Sequence, residues 1–410
     1  MLATAGAFTF SLPRATSRVL CPLRPARAFR EPPGRARTFA FGVVLPLAAQ
    51  LTQRQRQRRA HSTAMASGTA GTSTVPSLDP ARVALLKGHG VTLQAIEPMG
   101  AKVAGLDLKG PEPPAAVLEA LQAEMANRGF LVVSGQGVLS GDEQVKASEL
   151  WGGRQIHSTH GMHPKAPNKH IFRLSNDPQV GINGVGPQWH NDGSFEVGVF
   201  SHVGYHIVRV PENTGNTLFC HQGAAYDALP RETQEFWSRL VSVNATSGVL
   251  HPMAHDHPIN GRRSVYLHLG MTGGVLEKVG EDEFRLLEEE ELTKLFHSYN
   301  DLLNNGLPEN GGNYAVSYQY QEGDCIFIDN LALAHKASPQ AHNPDIKEQG
   351  LRILHRTTVK AMKPFMPGFN LPATATRELL TAAQDTSNGK GVFVAGGLGF
   401  RWDESIRMQN

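Results

Sequence analysis

Cysteine is nearly missing from this 410-residue chain, with three in all: Cys21, Cys220 and Cys325. No CxxC pair or zinc-type spacing joins them, which excludes a disulfide framework and points to a reducing compartment. Cys220 and Cys325 stand in the apolar runs Leu218-Phe219-Cys220 and Cys325-Ile326-Phe327, so packing is their expected role. Long hydrophobic runs are missing too. The apolar stretch 38–51 is broken by Pro46 and falls short of the ~18 residues expected of a membrane span. Charged residues make up only 19% of the chain against 40% hydrophobic, the balance of a soluble globular protein. Positive charge is scarce where a fold would be. Residues 1–78 hold eleven Arg, no Lys and one acid, Glu31, leaving 28 basic against 36 acidic residues, a net of −8, in 79–410. An acidic body argues against a nucleic-acid surface, which needs a basic patch. A small molecule is the expected partner.

The Arg-rich, Ser-containing, acid-poor start has the composition of an organelle transit peptide. It would direct the protein to a mitochondrial matrix or plastid stroma. A start at Met65 would leave a cytoplasmic protein, and a merely disordered extension has the same composition. A Gly/Ser/Thr-rich linker follows at 66–77. The chain therefore divides into a leader and linker (1–78), a folded domain (79–366) and a C-terminal extension without an assigned role (367–410). Val117, Leu118, Leu121 and Met125 have helical spacing within 115–128, and a buried strand follows at 129–134. A second helical period runs over 281–299, its Glu288-Glu289-Glu290-Glu291 run forming a solvated face. Short β-type runs fill the remainder: 203–210, 217–220, 264–269, 314–320, 325–329 and 351–359, several separated by turn formers. Mainly β with flanking helices, this pattern suggests a barrel or sandwich of the jelly-roll class.

The strongest chemical signal is the run Gln188-Trp189-His190-Asn191-Asp192-Gly193. A histidine and a carboxylate two residues apart reach one metal ion from the same face of an extended strand. Among 18 histidines a single His means little. The segment Asp324-Cys325-Ile326-Phe327-Ile328-Asp329-Asn330 adds weight, because an apolar strand ends there and His335 follows in a short apolar turn. His190, Asp192 and His335 would complete a two-His-one-carboxylate triad, which suits Fe(II) and leaves three positions for a chelating 2-oxo acid and dioxygen. Zinc fits the same ligands, so a metal-dependent hydrolase or isomerase stays open, as does a non-catalytic cupin-like binding module. Read as a strand, 351–359 places Arg352 and Arg356 on one face. Two guanidiniums aimed into a barrel need anionic partners, and a dicarboxylate co-substrate would supply one. Arginines facing solvent would need none.

The ordered motifs Trp-His-x-Asp, Gly-x-Thr-Leu, His-Pro with a later His-Pro-x-x-Gly, Asp-Asn-x-x-x-x-His and Arg-x-x-x-Arg resemble the taurine dioxygenase (TauD/TfdA) family over about residues 85–365. The resemblance implies an Fe(II)- and 2-oxoglutarate-dependent dioxygenase on a double-stranded β-helix, a cupin-like jelly roll. It implies His190, Asp192 and His335 as iron ligands, Thr217 and Arg352 as 2-oxoglutarate contacts, and Arg356 and His160 as substrate contacts. The activity implied consumes O2, releases succinate and CO2, and hydroxylates a small anionic molecule. His251-Pro252 and His257-Pro258-Ile259-Asn260-Gly261 are expected to be structural turns. Two departures stand out. Leu331 follows Asp-Asn where the family often has Arg, and a Pro- and Asn-bearing insertion separates His335 from Arg352.

Overall fold

The computed structural model describes residues 74–152, 156, 162–245, 247–281, 283–343 and 345–360, with the short strand pair Phe393–Val394 and Gly399–Phe400. The leader to residue 73, the substrate candidate His160 and most of the extension 367–410 lie outside the described residues. The strands are β1 (Thr92–Ala95), β2 (Ala101–Ala104), β3 (Phe130–Val133), β4 (Phe172–Ser175), β5 (Phe200–Arg209) and β6 (Thr217–His221). Next come β7 (Leu240–Asn244), β8 (Leu250–Pro252), β9 (Ala254–Asp256), β10 (Arg263–Val265), β11 (Thr272–Lys278) and β12 (Phe284–Leu286). Four more follow before that pair: β13 (Ala315–Tyr318), β14 (Cys325–Asp329), β15 (Leu333–Ala337) and β16 (Ile353–Lys360).

Seven strands form the larger sheet, in the order β1-β2-β3-β14-β5-β16-β4, and three form a smaller one, β13-β6-β15. Side-chain alternation explains how they pack. Along β14, Ile326 and Ile328 enter a core shared with Val203, Tyr205 and Leu354 of the larger sheet and Phe219 and Leu333 of the smaller. Their neighbours Cys325 and Phe327 turn the other way, into a second core. That outer core is covered by helices α1 (Pro80–Gly88), α2 (Ala115–Arg128) and α3 (Gly141–Glu149), through residues such as Leu86, Leu121, Met125 and Ala147. On the smaller sheet Cys220 and Ala334 point away from the shared core, against α4 (Gln222–Asp227), α5 (Arg231–Trp237) and α6 (Glu289–Asn305). Both cysteines are buried and free, as their apolar settings predict.

The helix 115–128 forms with the expected bounds. The acidic helix does not. Residues 284–286 form strand β12 on β11, and the helix starts only at Glu289, behind a capping box between Glu288 and Glu291. The folded body also begins earlier than residue 79. Val75 packs against two of the cores, and the buried Arg128 donates to the carbonyls of Pro76 (2.8 Å), Ile96 (2.6 Å) and Gly100 (3.1 Å). No helix among the described residues is long and apolar enough to cross a membrane.

Candidate active site

His190 and His335 meet first through their backbones. They exchange two N–H···O=C bonds of 3.0 Å, a one-residue antiparallel bridge at the edge of β15. Such a pair holds both side chains on one face, and the imidazole centroids lie 4.2 Å apart. His335 shares its face of β15 with Leu333, which belongs to the core between the sheets. The sequence expectation is corrected at two points. His335 stands within a strand, not in a turn, and Asp192 lies in the turn beyond the bridge, not on a strand with His190. Bridge and turn together bring one ligand atom each of His190, Asp192 and His335 within 4.8 Å of one another, all three residues being buried.

The protonation states suit a cation. His190 donates from Nδ1 to the Gln188 carbonyl (2.7 Å), which leaves Nε2 as the lone pair. Burial, joined by Arg356, depresses the His190 pKa, and burial with the neighbouring His190 takes His335 down to about 3, so both rings are neutral ligands. Burial alone would raise the Asp192 pKa. The charge of Arg356 and the nearby His335 and His190 outweigh it and hold the carboxyl at about 2. Asp192 Oδ1 accepts from Arg356 Nη1 at 2.8 Å, while Oδ2, 3.8 Å from His335 Nε2, has no hydrogen bond among the described residues.

Behind the ligands is an amide scaffold that the motifs did not reveal. Asn330 Oδ1 accepts from the Asp192 N–H (2.9 Å), and its Nδ2 donates to the carbonyls of Asp192 (2.9 Å) and Phe200 (2.7 Å). Asn191 Nδ2 donates to the carbonyls of Asn330 and Leu333 and to Gln222 Oε1. Asn330 was visible in the Asp-Asn motif, but nothing in the sequence said what it holds. His268 was also missed: its ring lies 4.8 Å from that of His190, and its Nδ1 accepts from the Gly270 N–H at 3.1 Å.

The remaining predicted residues line a cavity beside the triad. Arg352, Leu354 and Arg356 share one face of the β16 segment, as alternation requires, and line it with His190, His335, Thr217 and Tyr205. Arg352 is buried and donates from Nε to the Gly215 carbonyl (3.0 Å), and no carboxylate pairs with it among the described residues. Gly215, at φ +81°, permits this approach, since a Cβ there would lie 3.0 Å from Arg352 Cδ. Arg356 stacks its guanidinium 4.7 Å over the Phe172 ring while it bonds Asp192. The structure thus brings together every predicted site residue that it describes. His251 and His257 stand apart: His251 bonds the Ser194 carbonyl at 3.0 Å and His257 bonds Asp329 at 3.1 Å.

The family described as "Taurine catabolism dioxygenase TauD, TfdA family" matches residues 92–358. The chain belongs to this family. It is a 2-oxoglutarate-dependent non-haem iron dioxygenase, and the family uses Fe(II), 2-oxoglutarate and O2. The chain is 25% identical over 272 residues to an alkylsulfatase of Acinetobacter baylyi, spanning 58% of this chain and 77% of that protein. It is 23% identical over 270 residues to an alpha-ketoglutarate-dependent sulfate ester dioxygenase of Pseudomonas putida, spanning 58% and 81%. An alpha-ketoglutarate-dependent sulfonate dioxygenase of Saccharomyces cerevisiae is 22% identical over 251 residues, spanning 54% and 57%. A solved taurine dioxygenase from Burkholderia xenovorans shares the fold, with a TM-score of 0.53 at 21% identity over 68% of this chain and 93% of that one.

Proposed function

We propose that this dioxygenase hydroxylates a small anionic substrate, a sulfonate, sulfate ester or carboxylate, within a double-stranded β-helix core. The two facing sheets support that core assignment. His190, Asp192 and His335 are the Fe(II) ligands: two neutral imidazoles and a carboxylate suit that ion, and the unpartnered Asp192 Oδ2 is a buried oxygen that a cation would satisfy. The observation that carries the reading is Arg352, a buried guanidinium with no carboxylate partner among the described residues, in one cavity with two of the three ligands. A buried unpaired cation is costly, and the far carboxylate of 2-oxoglutarate resolves it by a charge-assisted pair.

Bound iron would activate dioxygen, so that one oxygen atom enters a substrate C–H bond and the other enters succinate as CO2 leaves. The protein's own part is placement. Arg352 anchors the far carboxylate of the co-substrate, and Thr217, buried on β6, bonds it from the facing sheet. Asn330 and Asn191 keep the Asp192 turn in register with β15. Arg356 holds the anionic head of the prime substrate, which orients the C–H bond, and the closed apolar core around Phe219 and Leu333 excludes water. The cation preference of a hydrolase or isomerase would be met by the triad alone, leaving Arg352 without a purpose.

The test is succinate release by the full chain with Fe(II), 2-oxoglutarate and O2, screened over alkylsulfonates, alkyl sulfate esters and carboxylates. Stimulation well above the substrate-free rate by at least one anion class is expected. Arg356→Gln should lose that stimulation while still binding 2-oxoglutarate. No succinate under any condition contradicts the reading, and an unchanged apparent substrate affinity in Arg356→Gln removes its substrate role.

A further inference from the structure

The insertion between His335 and Arg352 returns a residue to the cavity. Its 3-10 turn Pro339–His342 places Ala341 and His342 in the cavity lining, beside Arg352 and Thr217. The His342 ring is held from behind. Nδ1 lies 3.3 Å from Asn183 Oδ1, and Asn183 Nδ2 bonds the His342 carbonyl at 3.3 Å. An amide oxygen only accepts, so Nδ1 carries the proton and Nε2 is left over. Nε2 is buried and makes no hydrogen bond among the described residues. The same scaffold seats Arg352: Asn183 Nδ2 also bonds the Asn176 carbonyl, and Asn176 Oδ1 accepts from the Arg352 N–H at 2.9 Å. One network therefore fixes an arginine and a histidine on the same cavity wall. No acidic side chain lines this cavity among the described residues.

We propose that His342 is a further co-substrate-binding residue, which joins Arg352 on one cavity wall in holding the far carboxylate of the 2-oxo diacid. This rests on the functional reading above and adds to it a contact supplied by the insertion. Burial, and then the charge of Arg352, hold the free ring at a pKa of about 4, so it is neutral before binding. Its neutral Nε2 lone pair would repel a carboxylate. The ring therefore takes one proton from solvent as the diacid binds, and Nε2–H donates. The other polar groups on this cavity are Arg352 just before β16, Arg356 from β16, Ser175 from β4, Tyr205 from β5, Thr217 from β6, His335 from β15, and His190. None is a carboxylate that could supply that proton's counter-charge, so the ligand must.

The experiment measures the binding of two acids to the full chain with Fe(II) under anaerobic conditions, by the visible charge-transfer band. 2-Oxoglutarate is compared with 2-oxopentanoate, which has the same carbon chain without the far carboxylate. At pH 5, where protonating the ring costs little, His342→Ala should weaken 2-oxoglutarate by about tenfold, the value of one charge-assisted hydrogen bond, and leave 2-oxopentanoate nearly unchanged. His342→Gln, which keeps a donor without a titration, should recover part of that loss. In the wild type the ratio of the two affinities should rise as pH falls below neutral, and in both variants it should stay flat. Equal weakening of both acids, or none, overturns the role of His342, as does a flat wild-type ratio. A wild-type protein that binds neither acid overturns the functional reading together with this one.

Discussion

Two buried aspartates in this protein have almost the same surroundings and different fates. Asp192 lies among His190, His335 and His268, and Asp329 among His257 and His202, and both carboxyls are held at about 2 against the effect of their own burial. The difference is in the lone pairs. Asp329 accepts from His257 Nε2 (3.1 and 3.2 Å) and from the backbone N–H groups of Leu331 (2.9 Å) and Ala332 (3.1 Å). It is a closed corner. Asp192 accepts one bond, from Arg356, and keeps Oδ2 turned to histidines whose ring nitrogens point back at it. Residue type, burial and depressed pKa are thus shared by a structural cluster and a metal site. Unused ligand atoms that converge are what separate them.

If Asp329 is structural, Asp329→Ala should produce the largest loss of stability, about 3 kcal/mol by denaturant unfolding, because several buried donors lose their acceptor at once. A loss below about 1 kcal/mol would erase the distinction. Asn330 links the two clusters, since it follows Asp329 in the chain and clamps the Asp192 backbone. Asn330→Ala should weaken Fe(II) binding by roughly 10- to 100-fold, the usual effect of removing an outer-shell partner. Unchanged metal affinity would mean that the turn holds itself.

The smallest difference expected between wild type and variant concerns acid. His221 and His355 are pushed by burial to about 3, and His251 to about 4, from an ordinary 6.5. Their folded values are depressed, so below pH 6.5 the unfolded chain binds protons that the folded one does not, and stability falls as pH falls. Each such histidine adds to that fall until its folded value is reached. The aspartates act only lower, between their ordinary 3.8 and about 2. From pH 6.5 to about 4, the slope of unfolding free energy in Asp329→Ala should therefore be at least as steep as in the wild type, since loss of the Asp329 charge lets burial depress His202 further. A shallower slope in the variant would show that Asp329 titrates in that window.

Much of the site was legible from chemistry at fixed spacing. His190, Asp192, His335, Thr217, Arg352 and Arg356 converge as their motifs imply, and alternation placed the two arginines on one face. The errors were geometric. The ligands of the HxD pair sit on a bridge and a turn, because a single exchanged backbone pair with His335 is enough to orient them. The acidic helix begins later than its hydrophobic period suggests, because Phe284 and Leu287 fit a helical period while serving β12 and the turn after it. His342 was invisible in an insertion without periodicity, since its role depends on Asn183, more than a hundred residues away in the chain.

The most direct test sets Asp192→Ala beside Asp329→Ala and counts Fe(II) bound per folded chain under anaerobic conditions. One ion per chain is expected in the wild type and in the folded fraction of Asp329→Ala, and none in Asp192→Ala. Iron retained by Asp192→Ala, or lost from folded Asp329→Ala, would contradict the assignment of the metal to the open cluster.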